Sequence, residues 1–306
     1  MKTRHSTMNP RRRRVLGALA CLPLASRVRA AMPPRVASLS WAGAQILASI
    51  GAPPIALTEL ESYPEVGALP PMPPGVLELG SHSEPNLELL AQLKPDLIVL
   101  DQGQSNLDAQ LRRIAPTFAI DIYDPQRGRP LARAVAETGR LAARLDRLPQ
   151  AHAYLDDVER RLASRAATID TLVVPPVLVV DLYDDGRRLF VYGPNSMIHD
   201  VMTRLGIANA WRGDTGTGWV LLNIEDLAPM ADAQMFYISH GARDRIALSN
   251  LARSPLWRSL PFVAQGRFHP LSGFFTYGAA SCAVQCADGL TQGLVAATRN
   301  GSVARG

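Results

Sequence analysis

The sequence predicts an α/β protein: two Rossmann-like lobes joined by one long rigid α-helix, with a ligand cleft between the lobes. Three observations carry this expectation. The order strand, turn, helix, glycine occurs twice, in "RVASLSWAGAQILASIGA" and in "LFVYGPNSMIHDVMTRLGI". A second unit, "NLELLAQLKPDLIVL" from Asn86, is echoed by "NIEDLAPMADAQMFYI" from Asn223, with Glu88 in step with Glu225 and Leu90 with Leu227. Two such matches in the same order argue for two similar lobes. Between them runs a stretch from Arg129 to Asp170 dominated by Ala, Leu, Arg and Glu, with leucines at helical spacing.

The elements follow in chain order. Residues 1–30 combine a basic start, an apolar run from Val15 to Leu24 and "VRA" ending at Ala30, the layout of an export signal peptide. "RRRRVLG" resembles a twin-arginine signal, with an ordinary secretory signal as the alternative. The apolar run is too short to span a bilayer. The N-terminal lobe is expected over 31–148, the linking helix over 149–169 and the C-terminal lobe over 170–306. Gly51 and Gly206 stand where a helix C-terminus wants a residue tolerant of left-handed backbone. Lys94-Pro95 ends the helix that opens at Asn86, and "DLIVL" reads as a doubly covered parallel strand. Pro149 divides the central stretch, and its second half, from about Gln150 to Ala167, is long enough for a strut.

Composition excludes several classes. The chain has 306 residues, 47% hydrophobic and 19% charged, which suits a folded protein with real cores. Its formal charge of +5 comes from 32 basic and 27 acidic residues, but eight of the basic ones lie within residues 1–30, where there is no acid. The remainder carries 24 basic against 27 acidic residues, so the basic balance belongs to the leader and nucleic acid is not an expected partner. Cys282 and Cys286, four apart in a predicted helix, read as two buried thiols.

Ligands of open α/β sheets sit outside the carboxyl ends of the strands, so the loops after "VASLS", "DLIVL" and "LFVYG" are the candidate walls. The unit 79–103 is polar at both mouths, with Ser81, His82, Ser83 and Glu84 on one side and Asp101, Gln102 and Gln104 on the other. No G-x-S-x-G elbow, H-E-x-x-H, C-x-x-C or phosphate loop occurs. An enzyme is therefore not expected, although a serine hydrolase using Ser196 or Ser281 remains a rival of another class. His82, His199, His240 and His269, with Asp101 or Asp181, have no metal-ligand spacing and read as dispersed, solvent-facing histidines. A direct Zn or Mn binder is the weaker alternative. Loop aromatics say more. Trp41, Tyr63, Trp219, Phe274, Phe275 and Tyr277 all fall in predicted loops or turns, which suits a bulky, partly apolar small molecule.

"EPNLELLAQLKPDLIV", "RIAP", "VYGPNSM", "GIANAW", "SPLWRSLPFV", "GRF" and "YGA", in this order over most of the chain, resemble the FhuD-type periplasmic binding proteins of iron–hydroxamate siderophore import. The resemblance implies a periplasmic solute-binding protein that takes up an intact ferric siderophore and delivers it to an ABC permease in the inner membrane. It implies a monomer with no cofactor and no metal ligand of its own, the iron being held by the siderophore. Another large chelate, such as a catecholate complex, haem or cobalamin, is the alternative. Position by position, the family's pocket tryptophan falls on Trp41, its second-lobe tryptophan near Trp219 and an aromatic of the "FFTYGA" turn on Phe275. The family arginine that bonds the hydroxamate oxygens falls on His82, its tyrosine partner on Gln104 and a further wall tryptophan on Val66. The expected ligand-binding set is Trp41, Tyr63, His82, Gln104, Trp219, Phe275 and Tyr277. Glu88 and Glu225, one turn into equivalent helices of the two lobes, match a pair of glutamates with which related binding proteins dock their permease.

Overall fold

The computed structural model describes residues 33–299, Gly301 and the short strand 304–305, and the expected leader lies outside the described residues. The first sheet contains β1 (Val36–Ser38), β2 (Ala56–Leu57), β3 (Leu77–Glu78), β4 (Leu97–Asp101) and β5 (Thr117–Ile120). They lie in the order β3-β2-β1-β4-β5, all parallel. Helices α1 (Trp41–Ser49), α2 (Leu87–Leu93), α3 (Asp108–Leu111) and α4 (Pro130–Arg144) connect or flank these strands, and α5 (Leu148–Ile169) follows. A two-residue strand, β6 (Leu172–Val173), precedes the second sheet. That sheet is formed by β7 (Val177–Leu182), β8 (Arg188–Tyr192), β9 (Trp219–Asn223), β10 (Gln234–Ser239) and β11 (Phe268–Ser272) in the order β11-β10-β7-β8-β9. Helices α6 (Met197–Arg204), α7 (Asp244–Arg253), α8 (Pro255–Ser259), α9 (Pro261–Ala264) and α10 (Ala280–Arg299) complete this half, and β12 (Ala304–Arg305) pairs antiparallel with β6. The two-sheet α/β architecture is the one expected.

Local chemistry explains the elements that aim the site. Ser40 caps α1 by accepting from the Gly43 N–H at 2.9 Å, and Gly51 beyond the helix has φ +71°. Gly43 itself is required for close packing, because a Cβ there would stand 2.5 Å from Val99 Cγ1 on β4. Helix α5 accommodates Pro149 in its first turn, where the missing N–H costs nothing. Its 22 residues give a rod of about 33 Å. Among the described residues no helix is long and apolar enough to cross a membrane.

Two features depart from the expected repeat. Strand β8 runs antiparallel to β7, and β9 antiparallel to β8, so the second sheet is mixed. The loop after "LFVYG" therefore leaves the sheet at the end opposite to the loops after β7, β10 and β11. The counterpart of α2 is a 3-10 turn over Ile224–Met230, not an α-helix. Pro229 inside it has no N–H to bond back to Glu225, and the Asp226 carboxylate holds the tight first turn by accepting from the Asn223 N–H at 2.9 Å.

One apolar core runs through both halves. Val36, Ile46, Val99 and Ile120 from the first half and Val177, Val179, Phe236 and Ile238 from the second belong to the same buried cluster, filled between by α4, α5, α6 and α10. Asp288 on α10 accepts from Arg161 and Arg165 on α5 at 2.8 and 2.7 Å. These half-exposed ion pairs contribute on the order of 0.2–1 kcal/mol each, so the apolar contact carries the association.

The segment Gly273–Ala279, after β11, crosses to the first half. The Ala279 N–H donates to Gln45 Oε1 of α1 at 2.7 Å, and Tyr123 beyond β5 donates to the Gly278 carbonyl at 2.6 Å. Gly67 lies so close to Gly273 that a Cβ on it would stand 2.4 Å from the Gly273 carbonyl oxygen. Gln45 is fully buried. Gln45→Leu leaves the Ala279 N–H without its acceptor and should destabilise the protein by about 1–3 kcal/mol in denaturant melts, against a change within about 0.5 kcal/mol for exposed Gln110→Leu.

Candidate ligand cleft

The first half of the site is built on the carboxyl ends of β1, β2 and β4. Trp41 opens α1 directly after β1. Its indole N–H donates to the Thr58 carbonyl at 2.9 Å, and its ring meets Phe275 edge-on at 5.0 Å and Tyr63 at 5.6 Å. Trp41 and Phe275 are both half-buried and present the remaining ring surface outward. Tyr63 does not. It is 1% exposed, packs with Ala44, Leu57 and Ala68, and donates its hydroxyl to the Pro70 carbonyl at 2.9 Å. The Pro-rich loop folds back onto α1, so Tyr63 supports Trp41 from behind and is not a ligand-facing ring.

Gln104 is likewise a supporting residue. Its side chain is buried, and both amide hydrogens are committed, to the His82 carbonyl at 2.8 Å and the Leu39 carbonyl at 3.3 Å. Its Oε1 accepts from the Asp101 N–H at 2.9 Å. Gln104 thus ties the loops after β1 and β4 to the loop before α2, and holds His82 and Asp101 in place. His82 is exposed, with Nδ1 2.8 Å from Glu59 Oε1. Asp101, half-buried at the end of β4, accepts from the Ser40 hydroxyl at 2.7 Å. Burial pushes its carboxyl up to about 6, while the Ser40 bond and the nearby His82 act in the opposite direction.

The crossing segment joins this half to the second. Tyr277 stacks edge-on with Tyr123 at 5.0 Å and lies beside Trp219, whose proximity favours its ionised form while burial raises its pKa. Trp219 meets Phe190 edge-on at 4.9 Å, and Phe190 approaches Tyr183 at 5.8 Å. In the same sheet, where Asp181 pairs with Phe190, His240 Nε2 lies 3.0 and 3.1 Å from the two carboxylate oxygens of Asp181. The bond to Asp181 pushes His240 above its ordinary value, partial burial opposing. Of the seven residues expected at the ligand, Trp41 meets Phe275, Tyr277 meets Tyr123 and Trp219 meets Phe190, His82 is exposed beside Glu59, and Tyr63 and Gln104 are buried. Tyr123 was not singled out in the sequence, and Asp181 and His240 were considered there only as metal ligands, not as a pair. Each lies in or just after the carboxyl end of a strand with a parallel neighbour.

The rival chemistries find little here. Ser196 donates to the Gly193 carbonyl at 2.7 Å and accepts from the His199 N–H at 3.0 Å, so it is the cap of α6. Ser281 has no imidazole within hydrogen-bonding distance among the described residues. The four histidines do not converge, and three of them are half-buried, not solvent-facing as expected: His199 sits against Asn209, His240 against Asp181 and His269 against Phe236. No group of three or more His, Cys, Asp or Glu placed to hold a metal occurs among the described residues. Cys282 and Cys286 are free and fully buried, and burial pushes the Cys282 thiol up to about 12. Glu88 and Glu225 are both exposed. Glu225 also borders a concavity of about 680 Å³ with Asp185, Arg187, Asn250, Arg253 and Leu256.

The periplasmic binding protein family matches residues 36–271. The chain belongs to this family. It is 31% identical over 280 residues to the iron(3+)-hydroxamate-binding protein FhuD of Escherichia coli, covering 89% of this chain and 93% of the relative. It is 28% identical over 237 residues to the achromobactin-binding periplasmic protein of Dickeya dadantii, 75% of each chain. Among solved structures, FhuD of Vibrio cholerae bound to Fe3+-Desferal is similar with a TM-score of 0.79 and 27% identity, over 86% of this chain and 98% of that one. The triscatecholate siderophore-binding protein FeuA of Bacillus subtilis shares the fold at a TM-score of 0.67 and 19% identity, over 85% and 94% of the two chains.

Burial of Asp101 costs the folded protein stability once the carboxyl is ionised. Its pKa rises from 3.8 unfolded to about 6 folded, so the native state binds the proton more tightly. Stability from this group is present below about pH 4 and is lost as pH rises to about 6. Asp101→Asn keeps an acceptor for Ser40 and should be more stable than wild type at pH 8 by about 1–3 kcal/mol, the difference vanishing below pH 4 in pH-resolved thermal melts.

Proposed function

We propose that the protein is a periplasmic solute-binding protein that captures a ferric siderophore of the hydroxamate type and delivers it, as a monomer, to an ABC permease in the inner membrane. The observation that carries this is the aromatic lining from Trp41 and Phe275 through Tyr277 to Trp219, set between two lobes of one welded core. A ferric chelate arrives with its iron already coordinated by its own oxygens. It needs apolar surface and a few polar contacts from the protein, not a set of protein metal ligands, and the lining supplies that combination. The hydroxamate class is supported by the name of the relative that matches nearly the whole chain. The basic, apolar leader supports export to the periplasm.

Binding should quench tryptophan fluorescence, because Trp41 and Trp219 line the cleft. Trp257 is 4% exposed between Phe262 and Phe268, and Trp211 lies beside Pro176 at the start of β7. A thermal-shift and quenching screen of ferric trihydroxamates, ferric catecholates, haem and cobalamin should give its largest response with a trihydroxamate. A response confined to another class would replace the hydroxamate reading. Trp219→Ala should weaken the preferred chelate by about 1–3 kcal/mol, and an unchanged affinity would put Trp219 outside the site.

Glu88 and Glu225 are the proposed permease contacts, one exposed carboxylate on each lobe. The double variant Glu88→Ala, Glu225→Ala should keep its chelate affinity and lose iron uptake in cells. Normal uptake at normal protein levels would refute the docking role.

A further inference from the structure

Asp101 is a half-buried carboxylate at the end of β4 that no ion pair among the described residues includes. Several other charged groups near the cleft are matched in pairs: His82 with Glu59 at 2.8 Å, His240 with Asp181 at 3.0 Å and Arg243 with Glu65 at 2.7 Å, while Asp244 accepts from the Ser239 hydroxyl and the His240 N–H. On the far flank Arg188 is paired with Asp185 at 2.6 Å. Asp101 accepts from two neutral donors, the Ser40 hydroxyl at 2.7 Å and the Gln104 backbone N–H, and no ion pair among the described residues includes it. The wall where the family resemblance places an arginine is therefore not cationic here. His82 stands at that position already matched by Glu59, and Asp101 adds a negative charge beside them.

Resting on the ferric-hydroxamate reading, we propose that Asp101 selects the charge of the chelate, favouring ferric trihydroxamates that carry a protonated amine over otherwise identical neutral or anionic ones. An ammonium brought to the cleft floor supplies the counter-charge that the protein withholds. It relieves a half-buried carboxylate whose ionisation is otherwise opposed by desolvation. A ligand carboxylate in the same place meets like charge and is disfavoured.

The groups facing Asp101 limit what can titrate with it. Ser40 comes from the start of α1, Glu59 and His82 from the loops after β2 and before α2, and Tyr123 from beyond β5, with Tyr277 behind it on the crossing segment. Burial raises both phenols above their ordinary value, so they stay neutral through the physiological range. Between pH 5 and 8 the charge of this wall changes through Asp101, whose carboxyl burial pushes up to about 6. That change makes the wall less negative on acidification, so the preference for the cationic chelate weakens as pH falls.

Three forms of one chelate test this with the full chain: ferric desferrioxamine B with its free terminal ammonium, the same complex N-acetylated, and the same complex N-succinylated. Dissociation constants come from tryptophan quenching at pH 8 and pH 5. Wild type should bind the ammonium form at least about fivefold more tightly than the acetylated form at pH 8, and the succinylated form more weakly still, with the ratios contracting towards one at pH 5. Asp101→Asn should bring the pH 8 ratio to within about twofold. Equal binding of the three forms by wild type at pH 8, or an undiminished preference in Asp101→Asn, overturns the charge selection and leaves the hydroxamate reading intact. Binding of none of the three overturns the hydroxamate reading and the selection with it.

Discussion

The continuous apolar core between the two sheets is the constraint on which the rest of the structure depends. In proteins whose halves are joined by flexible strands, each half has a closed core of its own and the interface is free to slide. Here Val99 and Ile120 of the first sheet and Val179 and Phe236 of the second are buried in one cluster, and α5 and α10 lie within it. Separating the halves would expose close-packed apolar surface at about 25 cal/mol per Å², so wide opening is opposed by the same contacts that stabilise the fold. Shape in the cleft is accordingly set before a ligand arrives, and fit is achieved by rings and loops resting on that frame.

The crossing segment Gly273–Ala279 shows how the frame becomes a site. It is held by the buried Gln45 acceptor, by the Tyr123 hydroxyl and by a close backbone approach of Gly67 to Gly273. Those ties leave Phe275 and Tyr277 little choice of direction, and each ring completes an aromatic contact with the opposite wall. Gln104 does the equivalent work for the polar groups, fastening three loops through one amide. Both ties rest on buried hydrogen bonds to backbone, the kind whose loss leaves an unmatched group in a dry interior.

Most of the architecture was legible in the sequence because it rests on local rules. The glycines at 51 and 206 and the helix after Pro149 all follow from residues within a turn of one another. The direction of β8 was not legible, since an apolar run looks the same whether its partner is parallel or antiparallel. Pro229 was visible in the echo of α2, yet the repeat suggested an α-helix where the missing N–H gives a 3-10 turn. At the site, residue types pointed to aromatics that the fold leaves half-buried, Trp41, Phe275, Tyr277 and Trp219. Which aromatics face inward was another matter. Tyr63 and Trp41 both occupy loops near the same helix, and only the fold of the chain back onto α1 decides that one ring shields the other. Gln104 carries the same lesson, because a side chain between two polar mouths can serve the ligand or the loops, and three backbone partners chose the loops.

Cys282 and Cys286, free and sealed in the first two turns of α10, bear on where the chain can acquire its shape. Cross-links that form only in oxidising compartments are a common way for exported domains to reach stability. This interior closes around two protonated thiols instead, with burial holding the Cys282 proton far above neutral pH. The folded state therefore needs no oxidant to be complete, and thiol-reducing surroundings leave it intact. A chain with that property can finish folding on the reducing side of a membrane and be moved afterwards as a finished object.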